Sequence, residues 1–379
     1  MTAQKIPMLD LKRNYARIRQ EITDAVTEVL ESQAFILGPE VSAFEDDCSA
    51  YLDGARAIGC ASGTDALVLA LMALDVGPGD EVITTPYSFF ATVSCITRLG
   101  AVPVFADVDP VTYNIDLQQV LSRLTPKTKA VLPVHLFGQM APMEEIADEL
   151  ERRGVAIVED AAQAFGSWRK IRGDIVRAGT FGAVGCYSFF PTKNLGGYGD
   201  GGMLATNDDR LADRLRKLRV HGAGTTYFHD EVGLNSRLDS LQAAILRVRL
   251  RHLEEWNEER RVIADRYRLL FAERDLLDLV HPPVELDGNY HIYHQYAPRV
   301  QDRDALEAFL EAEGIGCRVY YPLSLHRQKC FAFLGYGAGD CPVSEQLSRE
   351  TLALPIFPEL TADEQIRIAD AIARFYRNK

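Results

Sequence analysis

Apolar residues recur at spacings of three and four at Tyr15, Ile18, Ile22, Val26 and Val29, which predicts an amphipathic helix ahead of the first strand. From Arg56 to about Val220 the pattern changes. Short β-rich runs (EVITTP, VPVFADVD, AVLPVHL, AIVED, GCYSFF, GMLATN) alternate with helix-like stretches such as Thr64–Leu74, Pro142–Arg153 and Asp208–Val220. That rhythm predicts a mostly parallel sheet flanked by helices. A long helical pattern follows from about Asp239 to Glu273, with Leu241, Ile245, Val248 and Trp256 set among the charges of RHLEEWNEERR, and reads as a connector between lobes. Beyond it, HIYHQYAPRV and GIGCRVYYP look like strands, and Asp302–Glu313 and Thr361–Arg377 like helices. The expectation is an α/β chain with a large domain over 1–250, N-terminal helix included, and a smaller α+β domain over 251–379, as suits 379 residues.

Charge and composition narrow the function classes. A formal net charge of -13 opposes nucleic-acid binding, which needs cations to displace counterions from phosphates. Seven cysteines, Cys48, Cys60, Cys95, Cys186, Cys317, Cys330 and Cys341, are scattered and never form C-x-x-C, so neither a disulfide framework nor a zinc cluster is expected. No metal site is predicted, and a reducing cytoplasm is the expected compartment. The longest apolar run, Leu67 to Leu74, is far short of the roughly 20 residues of a membrane span, and the N-terminus lacks the apolar core of a signal peptide. A soluble, uncleaved protein with no membrane partner is expected.

Three segments together suit a phosphorylated aromatic cofactor, although each has a plainer reading alone. In GCASGTDAL a strand ends near Ala61 and a helix begins near Thr64, so the amides of Gly63 and Thr64 lie at a helix N-terminus, which attracts phosphate. The plainer reading is a turn with Ser62 or Thr64 as N-cap. In AIVEDAAQAFG, Asp160 falls at the carboxyl end of an apolar strand, the edge where open α/β sheets bind ligands. A carboxylate there can keep a pyridine nitrogen protonated, or it can be an N-cap or a magnesium ligand. In YSFFPTKNLGGYGDGG, Ser188 and Lys193 sit on a loop crowded with Gly196, Gly197, Gly199, Gly201 and Gly202, which permit close backbone approach. Burial against Phe189 and Phe190 can lower a lysine pKa enough to make it a nucleophile, whereas a lysine in such a loop is usually solvated. Gly197, Gly199 and Gly202 also match G-x-G-x-x-G, but MLATN after them reads as a strand where a dinucleotide fingerprint opens a helix.

Taken together, ASGTDALVLAL, PVHLFGQ, VEDAAQAFGS, YSFFPTKNLGGYGDGG and LNSRLDSLQAAIL resemble the DegT/DnrJ/EryC1/StrS family of sugar aminotransferases, over almost the whole chain. The resemblance implies the aspartate-aminotransferase-like fold (fold type I), a homodimer with shared active sites, L-glutamate as amino donor and a nucleotide-linked keto sugar as acceptor. It further implies pyridoxal 5'-phosphate on Lys193 as a Schiff base, with pyridoxamine phosphate as the intermediate carrier. By the family's pattern Asp160 pairs with the pyridine nitrogen, Gln163 contacts the ring hydroxyl and Phe89 stacks on the ring. Gly63, Thr64 and Ser188 hold the phosphate, with Asn235 reaching across from the neighbouring subunit.

Within the family, GLNSRLD and VYYPLSLHRQ resemble members that aminate C3 of UDP- or dTDP-linked sugars, including hexuluronates, and imply Arg237, Tyr320, Tyr321 and His326 as substrate contacts. The alternatives are a 4-keto-sugar aminotransferase, a sugar 3-dehydratase, whose relatives carry histidine in place of Lys193, and a DNA-binding regulator, which the acidic balance opposes. The loop Gly222–Gly233 is expected to help set the substrate.

Overall fold

The computed structural model describes residues 5–225 and 227–378. Its frame is a seven-stranded sheet of β1 (Arg56–Cys60), β2 (Glu81–Thr84), β3 (Val102–Phe105), β4 (Thr128–Leu132), β5 (Ala156–Asp160), β6 (Val184–Ser188) and β7 (Gly202–Thr206). They lie in the order β1-β7-β6-β5-β4-β2-β3. Only β7 runs antiparallel to its neighbours, pairing Gly202 with both Cys60 and Ser188, while β6, β5, β4, β2 and β3 pair in parallel. The carboxyl ends of β1, β5 and β6 and the amino end of β7 therefore share one edge. Strands covered on both faces by helices read as unbroken apolar runs, and β7 is buried at every position.

The helix Gly63–Ala73 is capped by Ser62, whose Oγ accepts from Asp65 N at 3.1 Å. It is buried on all sides by Ala66 through Leu71, so its N-terminus is fixed against the sheet edge. The predicted N-terminal helix spans Leu11–Ser32 and begins at an Asp10 cap. Its partner surface is Ile245, Val248 and Trp256, which receive Ile18 and Ile22. A second apolar core gathers Ile263, Tyr267, Phe271, Leu306, Leu310, Ile368 and Ile372, with Ile6 from the amino end inserted among them.

Several local expectations are corrected. The connector is two helices, Ser240–Leu250 and Leu253–Ala272, because the chain turns at Arg251 and His252 so that Leu253 is buried and the His252 ring stacks on Trp256 at 5.5 Å. Pro142–Arg153 is a 3-10 turn, Met143–Glu145, followed by a short helix, Ala147–Arg152. Of HIYHQYAPRV only Arg299–Val300 is a strand, paired with Val280–His281. The aromatics before it are buried by stacking instead, Tyr296 against Tyr267 at 4.9 Å. GIGCRVYYP contains no strand and makes only isolated bridges at Ile315 and Arg318. The stretch Gly222–Gly233 carries a hairpin, Ala223–Thr225 against Phe228–His229, braced by Lys217 Nζ on Asp230 at 2.9 Å. Among the described residues no helix is long and apolar enough to cross a membrane.

Candidate active site

The shared strand edge opens into a cavity of about 430 Å³ lined by Ser62, Gly63, Thr64, Phe89, Asp160, Gln163, Ser188, Lys193, Tyr320 and Tyr321, among others. Nine of the twelve site residues expected from the sequence thus converge on one cleft from four strand ends and the C-terminal part. Three do not. Asn235 and Arg237 follow the hairpin and lie outside this cleft. His326 is buried, with Nε2 3.0 Å from Glu345 and its ring edge-on to Phe105, so it packs the interior and does not face the cleft.

At the phosphate-sized end, close approach depends on two glycines. A Cβ on Gly63 would stand 2.6 Å from Cβ of Ser188, and a Cβ on Gly202 would stand 2.7 Å from Gly63 N and closer still to the Ser62 carbonyl. Neither glycine is at positive φ, so the requirement is space and not conformation. Gly202→Ala is therefore expected to push the Ser62–Gly63 turn off the sheet edge and cost about 1–3 kcal/mol. Thermal unfolding reads this, and a variant that melts with the wild type would show that the turn yields freely.

Asp160 is 4% exposed at the end of β5. Thr92 Oγ1 donates to its Oδ2 at 2.8 Å and Ala162 N to its Oδ1 at 3.2 Å. Burial raises its pKa above the usual aspartate range, against the opposing pull of those two bonds and of the Lys193 charge. Lys193, half-buried, has its pKa lowered to about 8 by desolvation, with Asp160 as the opposing influence. The two groups therefore sense each other across the cleft, and among the residues lining it no other cation is present. Phe189 is fully buried beneath the loop, while Phe190 and Phe89 present exposed ring surface, 59% in the case of Phe89.

Sequence reasoning missed the groups that hold these in place. Thr92 sits in the first turn of Ala91–Arg98 and is itself bonded to Ser88 Oγ at 2.8 Å. His135 N donates to Asp160 O at 3.0 Å. The His135 Nδ1 accepts from Ala141 N, so Nε2 donates to buried Glu159, whose carboxylate also accepts from Gly179, Phe181 and Gly182 amides. The Gln163 amide is held at both ends, accepting from Phe137 N at 2.8 Å and donating to Tyr321 Oη at 2.9 Å. Gln242 Oε1 accepts from Tyr198 N in the glycine loop at 2.8 Å. His294 lines the cleft with Nδ1 3.0 Å from Asn194 Oδ1, and burial, with the charges of Lys193 and Arg260, keeps its ring neutral. Only the polar types in SFFAT and HIYHQ hinted at any of these.

A fixed carboxylate, a lysine with a lowered pKa, a helix N-terminus and an exposed aromatic face on one cleft suit an enzyme that works through a cationic heteroaromatic cofactor. The family model for the DegT/DnrJ/EryC1/StrS aminotransferase family matches residues 16–373, and the chain belongs to that family. It is similar to a pleiotropic regulatory protein of Geobacillus stearothermophilus, 52% identical over 98% of this chain and 99% of that one. It is also similar to a UDP-N-acetyl-3-dehydro-alpha-D-glucosamine 3-aminotransferase of Acidithiobacillus ferrooxidans, 44% identical over 97% of each chain. The solved structure of ntda from Bacillus subtilis with bound cofactor PMP has a TM-score of 0.90 at 32% identity, over 100% of this chain and 87% of that one. The fold is that of the fold type I aminotransferases, and the protein is an aminotransferase dependent on pyridoxal 5'-phosphate.

Proposed function

We propose that this chain transfers the amino group of L-glutamate to C3 of a nucleotide-linked keto sugar, with Lys193 carrying pyridoxal 5'-phosphate. The observation that carries the reading is the placement of the Lys193 amine and the buried Asp160 carboxylate on one cleft, each perturbed by burial and by the other. The acceptor class is that of the Acidithiobacillus ferrooxidans relative, a UDP-linked 3-keto sugar.

The residues present fit the cofactor. The Gly63 and Thr64 amides at the start of a capped helix and the Ser188 hydroxyl form a cradle that a side chain at position 63 would fill. Phe89 supplies a flat face for the ring and Gln163 a fixed amide beside it. When bound, the cofactor supplies an electron sink for the carbanion formed at the substrate carbon. Asp160, held by Thr92 and Ala162, is the carboxylate that would pair with the ring nitrogen. Lys193 accepts the proton at Nζ from the donor and returns it to the acceptor carbon, a task suited to an amine lowered to about 8. Tyr320 and Tyr321 border the sugar end. Asn235 and Arg237 lie outside the cleft of their own chain and serve a second copy, so that a homodimer completes both sites. That supply also answers a shortage of charge, since one lysine faces a phosphate, a nucleotide and a dicarboxylic donor. The domain boundary near residue 250 is supported by the separate apolar core beyond it. A reducing cytoplasm suits seven cysteines that form no disulfide among the described residues.

The amine must be neutral to attack the cofactor's aldehyde. With a pKa of about 8, roughly one molecule in ten is competent at pH 7. Loading of cofactor-free protein, followed by visible absorbance, is therefore expected to accelerate about tenfold from pH 7 upward and to level off above about pH 8. A rate still climbing steeply at pH 10 would restore an ordinary lysine.

The function itself is tested by incubating the loaded enzyme with glutamate and with UDP- and dTDP-linked 3-keto and 4-keto sugars, and weighing the products. Bleaching of the visible band by glutamate, with gain of an amine on a 3-keto sugar, is the expected outcome. Bleaching with amination of 4-keto sugars alone would move the reaction to C4. A regulatory role, the description attached to the Geobacillus relative, gains no support from a chain of net charge -13, which is not expected to retard DNA.

A further inference from the structure

A second, much smaller cavity of about 20 Å³ borders Thr192, Lys193 and Asn194. Its remaining walls come from chain segments far apart in sequence, including Asn14 of the N-terminal helix, Arg249 and Trp256 of the connector helices, and Glu359 just ahead of the last helix. Three residues that line it each carry a buried polar atom with no hydrogen-bond partner among the described residues: Nε of Arg249, Nε1 of Trp256 and Oε2 of Glu359. Arg249 and Trp256 are 4% and 2% exposed.

Other atoms of the same groups are engaged with one another. Arg249 Nη1 donates to Asn14 Oδ1 at 2.7 Å, Asn14 Nδ2 donates to Glu359 Oε1 at 2.9 Å, and the Arg249 guanidinium lies 4.8 Å over the Trp256 ring. Arg260 closes the space through Ile356 O, to which its Nη1 donates at 2.9 Å. Buried donors and acceptors in folded proteins nearly always have partners. The cavity exceeds the roughly 10–15 Å³ that one water requires, and buried waters make about three hydrogen bonds. Two donors and one acceptor match a water molecule's own capacity. A halide would accept from both donors but abut the Glu359 carboxylate, and a cation would face two N–H groups.

We propose that one buried water occupies this cavity, accepting from Arg249 Nε–H and Trp256 Nε1–H and donating to Glu359 Oε2, and that Glu359 is thereby a positioning residue for the Lys193 segment. The water joins the amino-terminal helix, the connector and the carboxyl-terminal core at the wall formed by the lysine loop. The second half of the proposal rests on the role given to Lys193 above; the first does not.

A crystal structure of the full chain that resolves ordered solvent tests the water. Density within hydrogen-bonding distance of all three atoms is expected, and its loss in Trp256→Phe, which keeps the ring and removes the N–H. A dry cavity, or side chains that pair with one another directly, overturns the proposal. Glu359→Gln keeps the Oε1 acceptor for Asn14 and replaces the second with a donor. Its kcat is expected to fall roughly tenfold with KM for both substrates unchanged, and Glu359→Asp, which restores an acceptor, to recover part of it. Wild-type kcat in Glu359→Gln, or a matching change in KM, overturns the positioning role even where the water is seen. A chain that proves inactive toward every sugar would leave the crystallographic result standing.

Discussion

Lys193→Ala is expected to abolish amine transfer, lowering kcat by about 10⁴-fold, the upper end of what one positioned acid–base group contributes, and to leave the chain colourless after incubation with pyridoxal 5'-phosphate. The size follows from two losses at one position: the covalent anchor and the group that moves the proton. Among the described residues of the same chain that line the cleft there is no other lysine or arginine to take over either task. The side chain is half-buried on a loop held by backbone bonds, Lys193 N to Phe190 O at 2.8 Å and Gly197 N to Phe189 O at 2.7 Å, so the variant should remain folded. Thermal unfolding checks that, and absorbance with single-turnover assays checks the chemistry. A folded variant that still colours and still aminates sugar would remove Lys193 from the reaction.

Asp160→Asn is expected to separate activity from stability. The amide cannot balance a protonated ring nitrogen, and removing one member of a buried charge pair costs about 3–5 kcal/mol, or roughly 10²–10⁴ in rate. Stability should move the other way. Burial raises the folded-state pKa of Asp160, so below the folded pKa the group binds its proton at little cost, and as pH rises through that value the folded protein loses stability relative to the unfolded chain. The asparagine removes this dependence while keeping an oxygen for Ala162 N. In the cofactor-free protein, Asp160→Asn should therefore gain on the wild type as pH is raised from acid toward neutral. Paired unfolding curves across that range decide it. A variant that loses stability at neutral pH would make Asp160 a structural carboxylate.

That separation explains why the site was legible early. A lysine in a glycine-rich loop, a carboxylate at a strand end and an S-G-T turn break the local rules of pattern and propensity, and such breaks gather at functional sites. What supports them was not legible. Thr92 meets Asp160 across 68 residues and His294 meets Asn194 across 100. Each is an ordinary polar residue until the sheet order brings its partner beside it. His326 shows the converse, since its neighbours in sequence suggested a substrate contact and its neighbours in space are Glu345, Phe105 and Tyr336.

The secondary-structure errors have a related cause. Aromatic segments such as HIYHQYAPRV are buried whether or not they form a ladder, and here the backbone breaks at Tyr293, which has a φ of 45°. Tyr293 and Tyr296 are buried by ring contacts, and Tyr296 makes only an isolated bridge to Leu354. The connector residues Arg251 and His252 favour helix locally, yet the chain turns there to bury Leu253 and to bring the His252 ring over Trp256.

Residue chemistry and short-range periodicity, both properties of a few neighbouring positions, were enough to indicate the alternating architecture and a cleft suited to a phosphorylated aromatic cofactor, while the roles expected of the lysine and aspartate came from the family resemblance. Tertiary structure alone decided that β7 reverses between β1 and β6, which of the twelve candidate residues share a cleft, and which polar groups hold them there. Those choices depend on contacts between segments tens to hundreds of residues apart, and their energies are set by packing and desolvation that no local stretch of chain contains.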